Sequence, residues 1–335
     1  IKPLVKAAKK RGFDTVALTD YGSLYGAIEF YETCLKEGIK PIIGFDAFVA
    51  PRTMADKDVE QDKEVYRLVL LAENYDGYRN LMKLTSEGHL YGFFNDGPRI
   101  DKVILRKYSK NIIALSGSIQ GEIPQLLKRG KYDDAKRVAQ EYNDIFGQDN
   151  FYLELQDHPA IEGQMAVNTK LIELSKDTGI PLVATRDVHY LNPTDSEAQD
   201  ILRCISNGWK VQYTDREDYR HVDRSFNTAK DIASRFRHIP EAIENTAKIA
   251  DRINIEIPLN NWHFAPVELP PNMTADEHLR DEAYKFVGDY YDEITDEITE
   301  RIEYELKIIK DKGYSPYFIC VADYVRYAKS QGILW

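Results

Sequence analysis

Cysteine is scarce in this chain: three thiols in 335 residues, Cys34, Cys204 and Cys320, set far apart with no CxxC pair. That excludes a disulfide frame and a cysteine-based zinc knuckle, and it argues for a reducing cytoplasm. No apolar run approaches the roughly 20 residues that cross a bilayer, so no membrane segment is expected. The chain opens on Ile1, with no Met and no signal-peptide pattern, directly into an amphipathic helix from Lys2 to Lys10. It reads as a segment whose true N-terminus is missing. Positive charge is in deficit, with 44 Lys and Arg against 55 Asp and Glu and a net charge of −11. An acidic surface repels a phosphate backbone, so a primary nucleic-acid groove is not expected here; basic clusters such as Lys128-Arg129 read as solvated helix ends. Neither G-x-x-x-x-G-K-[ST] nor G-x-G-x-x-G occurs, which removes the usual phosphate cradles, and no G-x-S-x-G elbow offers a serine nucleophile. Internal repeats and low-complexity stretches are also absent.

What the chain does contain, up to about residue 190, is an alternation of helices and short apolar strands. Strands are predicted at Thr15–Leu18, Pro41–Val49, Val65–Ala72, Ile112–Leu115, Phe151–Leu155 and Pro181–Ala184, with amphipathic helices between most of them. This spacing predicts parallel strands with crossover helices, an α/β barrel or wound sheet. Gly92–Pro98, with two glycines and Asn95-Asp96, reads as a loop. After residue 190 the pattern turns wholly helical, at Ser196–Ser206, Thr228–Phe236 and Pro240–Ile253. A Pro-rich stretch, Ile257 to Asn272, reads as a linker or draped arm. Two long helices are predicted at Ala275–Tyr290 and Asp296–Lys312, followed by a final segment, Tyr317–Ala328.

Polar residues cluster just beyond the strands' C-terminal ends, where parallel α/β folds build their sites. The stretch Leu18-Thr19-Asp20-Tyr21-Gly22 ends one strand, Ser116-Gly117-Ser118 another, and Thr185-Arg186-Asp187-Val188-His189 a third. Alternate residues leaving a strand share a face, so Asp187 and His189 converge on one point and suit Zn²⁺ or Mn²⁺. D-x-H by itself also caps turns. His89 closes a helix, where a cation at the dipole's negative end is the plainer reading. His158, before Pro159, reads as a solvated turn residue, and His221, His238, His263 and His278 have no partner at ligand spacing.

Taken in order, VALTDYGSLYGAIEFY, GIKPIIGFDAFVAP, LTSEGHLYGFF, PRID, IALSGSIQGEIP, PLVATRDVHYL and GYSPYFICVADYVRYAK resemble the N-terminal part of the bacterial DNA polymerase III alpha subunit family. That part is a PHP (polymerase and histidinol phosphatase) domain with the start of the palm. The resemblance implies a PHP-type distorted β/α barrel over residues 1–190, its first strand and H-x-H motif missing. It further implies a helical end over 191–256, an extended linker over 257–273 and a helical start of the palm over 274–335. It implies strand-end ligands for up to three metal ions, with Asp46, His89, Asp187 and His189 at matching positions. Other positions depart: T-D-H-G becomes Thr19-Asp20-Tyr21-Gly22, the glutamate of G-C-E becomes Asp46, S-G-C becomes Ser116-Gly117-Ser118, and Arg186 stands where Asn is usual.

A phenol is largely protonated near neutral pH and is a poor ligand, and Glu shortened to Asp withdraws its carboxylate. An added guanidinium repels cations and can bind Asp187 or Asp20 instead. The expectation is a degenerate pocket at Asp20, Tyr21, Ser118 and Arg186, with vestigial ligands, no catalytic residue and no bound cofactor. Zn or Mn there is the alternative, with Mg confined to the parent's palm. The implied function is that of a polymerase segment, structural and docking for the proofreading exonuclease subunit, with DNA met mainly by parts outside it. An active metal-dependent phosphoesterase or 3′–5′ exonuclease is the second reading, and a stand-alone biosynthetic phosphatase a third. The helices after residue 190 have no reason to be in the third.

Overall fold

The computed structural model describes every residue except 96, 214, 217, 219, 260–263, 334 and 335; His263 and part of the linker therefore lie outside the described residues. The chain forms two compact units, Ile1–Ile257 and Pro258–Trp335.

The first unit is built on α1 (Lys2–Lys10), β1 (Thr15–Tyr21), α2 (Ala27–Glu37), β2 (Lys40–Val49), β3 (Tyr66–Ala72), α3 (Tyr75–Tyr91), β4 (Phe93–Phe94), β5 (Gly97–Ile100) and α4 (Lys102–Tyr108). It continues through β6 (Ile112–Leu115), α5 (Glu122–Lys128), α6 (Tyr132–Phe146), β7 (Phe151–Gln156), α7 (Gln164–Thr178), β8 (Leu182–Thr185), α8 (Ser196–Asn207), α9 (Ala229–Arg235) and α10 (Pro240–Arg252). The second unit contains α11 (Ala275–Phe286), α12 (Asp296–Asp311) and α13 (Ser315–Ser330). No helix among the described residues is long and apolar enough to cross a membrane.

The sheet runs β4-β5-β2-β3-β6-β7-β8, with β1 also on β2. Its strands are apolar because both faces are covered: Ile43, Phe45, Leu68, Leu70, Ile113 and Leu153 are almost fully buried, as expected of a sheet flanked by helices. The α/β class agrees with the sequence pattern, but two expectations fail. β3 is antiparallel to both β2 and β6, not parallel. No helix separates β2 from β3, only residues 50–65, and a parallel return needs a crossover. Gly92–Pro98 is not simply a loop either, since Phe93-Phe94 pair antiparallel with Gly97-Pro98 and β5 continues onto the end of β2.

Residues 50–65 are pinned by a buried cation. Arg99 is 0% exposed and donates to the carbonyls of Gly92, Asp62 and Asp56. Its guanidinium lies 4.5 Å from the Phe94 ring centroid. Asp62, also buried, accepts from Arg52 Nε and Nη2 at 2.9 and 2.6 Å. Arg99→Ala would strand several buried acceptors at once, a loss on the order of 3 kcal/mol. Limited trypsin digestion is expected to cut at Arg52, Lys57 and Lys63 faster in that variant than in the parent.

Candidate functional site

β1, β2, β6, β7 and β8 deliver their ends to one cavity of about 290 Å³, lined among others by Tyr21, Asp46, Ser118, Gln156, Asp187 and His189. Tyr21 ends β1 and Asp46 lies directly across from it on β2. Gly117 makes the turn that brings Ser118 in: its φ is +80°, and a Cβ there would stand 2.2 Å from the Arg67 carbonyl oxygen. Only glycine fits such a position.

Two arginines organise the carboxylates. Arg67 on β3 faces Phe48 across the ladder and lies diagonal to Asp46, on the same face. Its Nε donates to Asp46 Oδ1 at 2.9 Å, and Nη2 sits 2.6 Å from Oδ2. The guanidinium also lies 3.8 Å from the centroid of the Tyr21 ring. Burial pushes the Asp46 carboxyl up, and the Arg67 charge opposes it.

Arg224 acts likewise on the far side. Its Nη1 is ion-paired with Asp187 Oδ2 and lies 3.0 Å from His189 Nε2. His189 Nε2 also meets Asp187 Oδ1 at 2.8 Å and the Tyr21 hydroxyl at 3.2 Å. The Arg224 segment is held in place by backbone, with His189 N donating to Arg224 O at 3.0 Å and a bridge between Tyr190 and Ser225. Burial lowers the His189 pKa, and Arg203 and Arg67 lower it further.

This donor set does not fit a metal cluster. Asp46 is paired with Arg67, Asp187 with Arg224, and His189 Nε2 has three protein partners. Among the described residues no three His, Cys, Asp or Glu side chains gather to hold an ion.

The sequence-predicted residues are not all brought together. Asp187, His189, Asp46, Tyr21 and Ser118 share the cavity; His89, Asp20 and Arg186 do not line it. His89 is exposed on the last turn of α3, its Nδ1 2.9 Å from the Thr85 carbonyl of its own helix. Asp20 alternates to the other face of β1, where its Oδ2 stands 3.2 Å from the Cβ position of Gly26. The expectation that Arg186 would bind Asp187 or Asp20 is corrected: it turns away and donates to Asp223 Oδ2 at 2.7 Å and Ser225 O at 3.1 Å. Arg224 takes that place.

Arg67, Arg224 and Glu154 escaped the sequence reading. The first left a signal, a lone charge in each of the apolar runs IIGFDAFV and YRLVLLA, since buried charges occur paired. Arg224 sits in the polar stretch His221-Val222-Asp223-Arg224-Ser225, which has no periodicity to mark it.

Glu154, on β7, is 4% exposed. Its Oε1 accepts from Gln156 Nε2 at 3.0 Å and is hydrogen-bonded by the Thr185 hydroxyl, while Oε2 has no hydrogen-bond partner. Burial pushes its pKa to about 7, with Asp46 adding to the rise. The folded state therefore holds a proton that the unfolded state has lost above about pH 4.3. Stability contributed by this group is complete below that pH and falls as pH rises through 7, by about 4 kcal/mol in all. Glu154→Gln is expected to flatten this slope in denaturant midpoints measured from pH 5 to 8, and to be the more stable protein at pH 8.

Residues 1–158 match the PHP domain family and residues 277–335 the family described as bacterial DNA polymerase III alpha NTPase domain. Relatives named DNA polymerase III subunit alpha are 36% identical in Treponema pallidum and 39% in Borreliella burgdorferi, each over 99% of this chain. One from Helicobacter pylori is 35% identical over the same share. The chain spans only 28%, 29% and 29% of the length of these relatives. Along nearly its whole length the chain is similar to the N-terminal part of these DNA polymerase III alpha subunits, and residues 1–158 match the PHP domain family.

Proposed function

We propose that this chain is the N-terminal segment of a replicative DNA polymerase III alpha subunit whose PHP domain has become architecture. The parent would carry out DNA-directed DNA synthesis in the cytoplasm, with magnesium held in its palm. This segment would supply no catalytic residue and no zinc or manganese centre. The observation that carries the reading is the pairing of Asp46 with Arg67 and of Asp187 with Arg224, which puts fixed cations where a metal cluster would need free carboxylates. Residues 1–190 would form the barrel, 191–256 its helical end, 257–273 the linker and 274–335 the approach to the palm. A domain without its own nuclease fits a division of labour in which it docks a separate proofreading exonuclease subunit. Pull-down of the cognate exonuclease at micromolar concentrations is the expected result; no capture would remove the docking role.

A second reading, an active metal-dependent phosphoesterase or 3′–5′ exonuclease, draws on the survival of Asp187 and His189 at 2.8 Å. Manganese-dependent hydrolysis of a 3′-labelled primer, abolished by His189→Ala, would establish it. On the proposal above, no such hydrolysis occurs.

A further inference from the structure

A second concavity, of about 350 Å³, lies on the solvent side of α3 and shares no residue with the strand-end cavity. Its long wall is one side of that helix. Arg79, Met82, Lys83, Ser86, Leu90 and Tyr91 line it at the three- and four-residue steps that align helical side chains. From Arg79 to Tyr91 the helix rises about 18 Å, so the groove suits a length of polypeptide rather than a compact ligand. Tyr108, the last residue of α4, adds a second wall. Ser86, one turn from both Met82 and Leu90, leaves the hollow between them, and its hydroxyl is already satisfied by the Met82 carbonyl at 2.8 Å.

The two ends of the groove differ in chemistry. Arg79 and Lys83 bring positive charge to one end. The ammonium groups of Lys83 and Lys107 lie 5.2 and 4.9 Å from the Tyr108 ring centroid, so two cations gather at one ring. Among the described residues Lys83 has no carboxylate in ion-pair reach; its hydrogen bond goes to Asn80 Oδ1 at 3.4 Å. The neighbouring pairs are loose and wet, Arg79–Asp76 at 3.8 Å and Lys107–Glu87 at 3.9 Å, and such pairs are easily exchanged. At the other end Leu90 and Tyr91 are 72% and 59% exposed, with Met82 exposed between the two ends. One exposed leucine is ordinary; three apolar side chains along one hollow mark a contact surface.

We propose that this groove docks an acidic segment of a partner protein that carries an aromatic or large aliphatic anchor about two helical turns from its carboxylates. The carboxylates meet Arg79 and Lys83, and the anchor packs against Leu90 and Tyr91. On a chain of net charge −11 an acidic partner is repelled from most of the surface, so this basic strip decides where it lands. Glu87 within the same lining, and the aliphatic end, disfavour a nucleic-acid backbone. The groove is independent of the state of the strand-end cavity and of the exonuclease docking proposed above.

The test is fluorescence anisotropy of the chain with labelled probes: an acidic helical peptide bearing Phe and Leu anchors, the same peptide with its acids changed to amides, and an oligothymidylate. Saturable binding of the acidic peptide, weakened by salt, is expected. Lys83→Glu and Leu90→Gln should each weaken it about tenfold. Lys136→Glu, the same charge change on α6, should leave it unaltered. All three positions are exposed, and circular dichroism confirms folding. Absence of saturable binding, equal binding of the amide peptide, or an equal loss from Lys136→Glu overturns the proposal. Preference for the oligothymidylate assigns the groove to nucleic acid and overturns it too. So does self-association of the chain, seen by light scattering and relieved by Leu90→Gln, which assigns the groove to a second copy.

Discussion

Replacing Tyr21→His and Arg224→Ala together is expected to create tight zinc binding, near one ion per chain, where the parent takes up almost none. The two changes act on the same point. Tyr21 presents its hydroxyl 3.2 Å from His189 Nε2, so an imidazole there adds the nitrogen donor that a phenol cannot supply near neutral pH. Removing Arg224 frees Asp187 Oδ2 and relieves the contact on His189 Nε2. Two imidazoles and a carboxylate would then face one point, the minimum of three protein ligands on which zinc sites are built. Titration of both proteins with Zn²⁺ against a chromophoric chelator measures the difference. Asp187→Ala in the double variant is expected to abolish the gain, which separates a built site from adventitious surface binding.

Arg67→Ala is expected to be the most destabilising single change in the cavity. Arg67 and Asp46 are 9% and 13% exposed as side chains, so removing the guanidinium leaves a carboxylate buried without its charge partner. Breaking such a pair costs about 3–5 kcal/mol, and the stacking over Tyr21 and Phe48 is lost with it. The contrast is the surface pair Lys9–Glu37, 55% and 22% exposed, where Lys9→Ala should cost about 1 kcal/mol or less. Replacing both buried partners by apolar residues, Arg67→Met with Asp46→Leu, should recover most of the stability. Urea midpoints of the four proteins measure this; equal losses from Arg67→Ala and Lys9→Ala would mean the buried pair holds nothing in place.

The sequence carried some of this fold and site plainly and hid the rest for identifiable reasons. The runs around Ile43, Leu70, Ile113 and Leu153 are apolar enough to mark buried strands, and strand alternation alone put Asp187 and His189 on one face. The direction of β3 was within reach, since residues 50–65 hold no helix to carry a parallel crossover. The β4–β5 hairpin was not: two residues each of Phe93-Phe94 and Gly97-Pro98 are too short for periodicity to register. Arg186 misled because adjacency in sequence to Asp187 is not adjacency in space. Successive residues leaving β8 point to opposite sides, so Arg186 reaches Asp223 while Arg224, 37 positions from Asp187, folds back to take the carboxylate. That pairing depends on a long-range return of chain that no local pattern encodes.

Elemental analysis of the chain purified without chelator tests the central claim most directly. With Asp46 and Asp187 each bound to a guanidinium, zinc and manganese should be found far below one per chain, and His189→Ala should change neither. Near-stoichiometric zinc or manganese that disappears with His189→Ala would contradict the account.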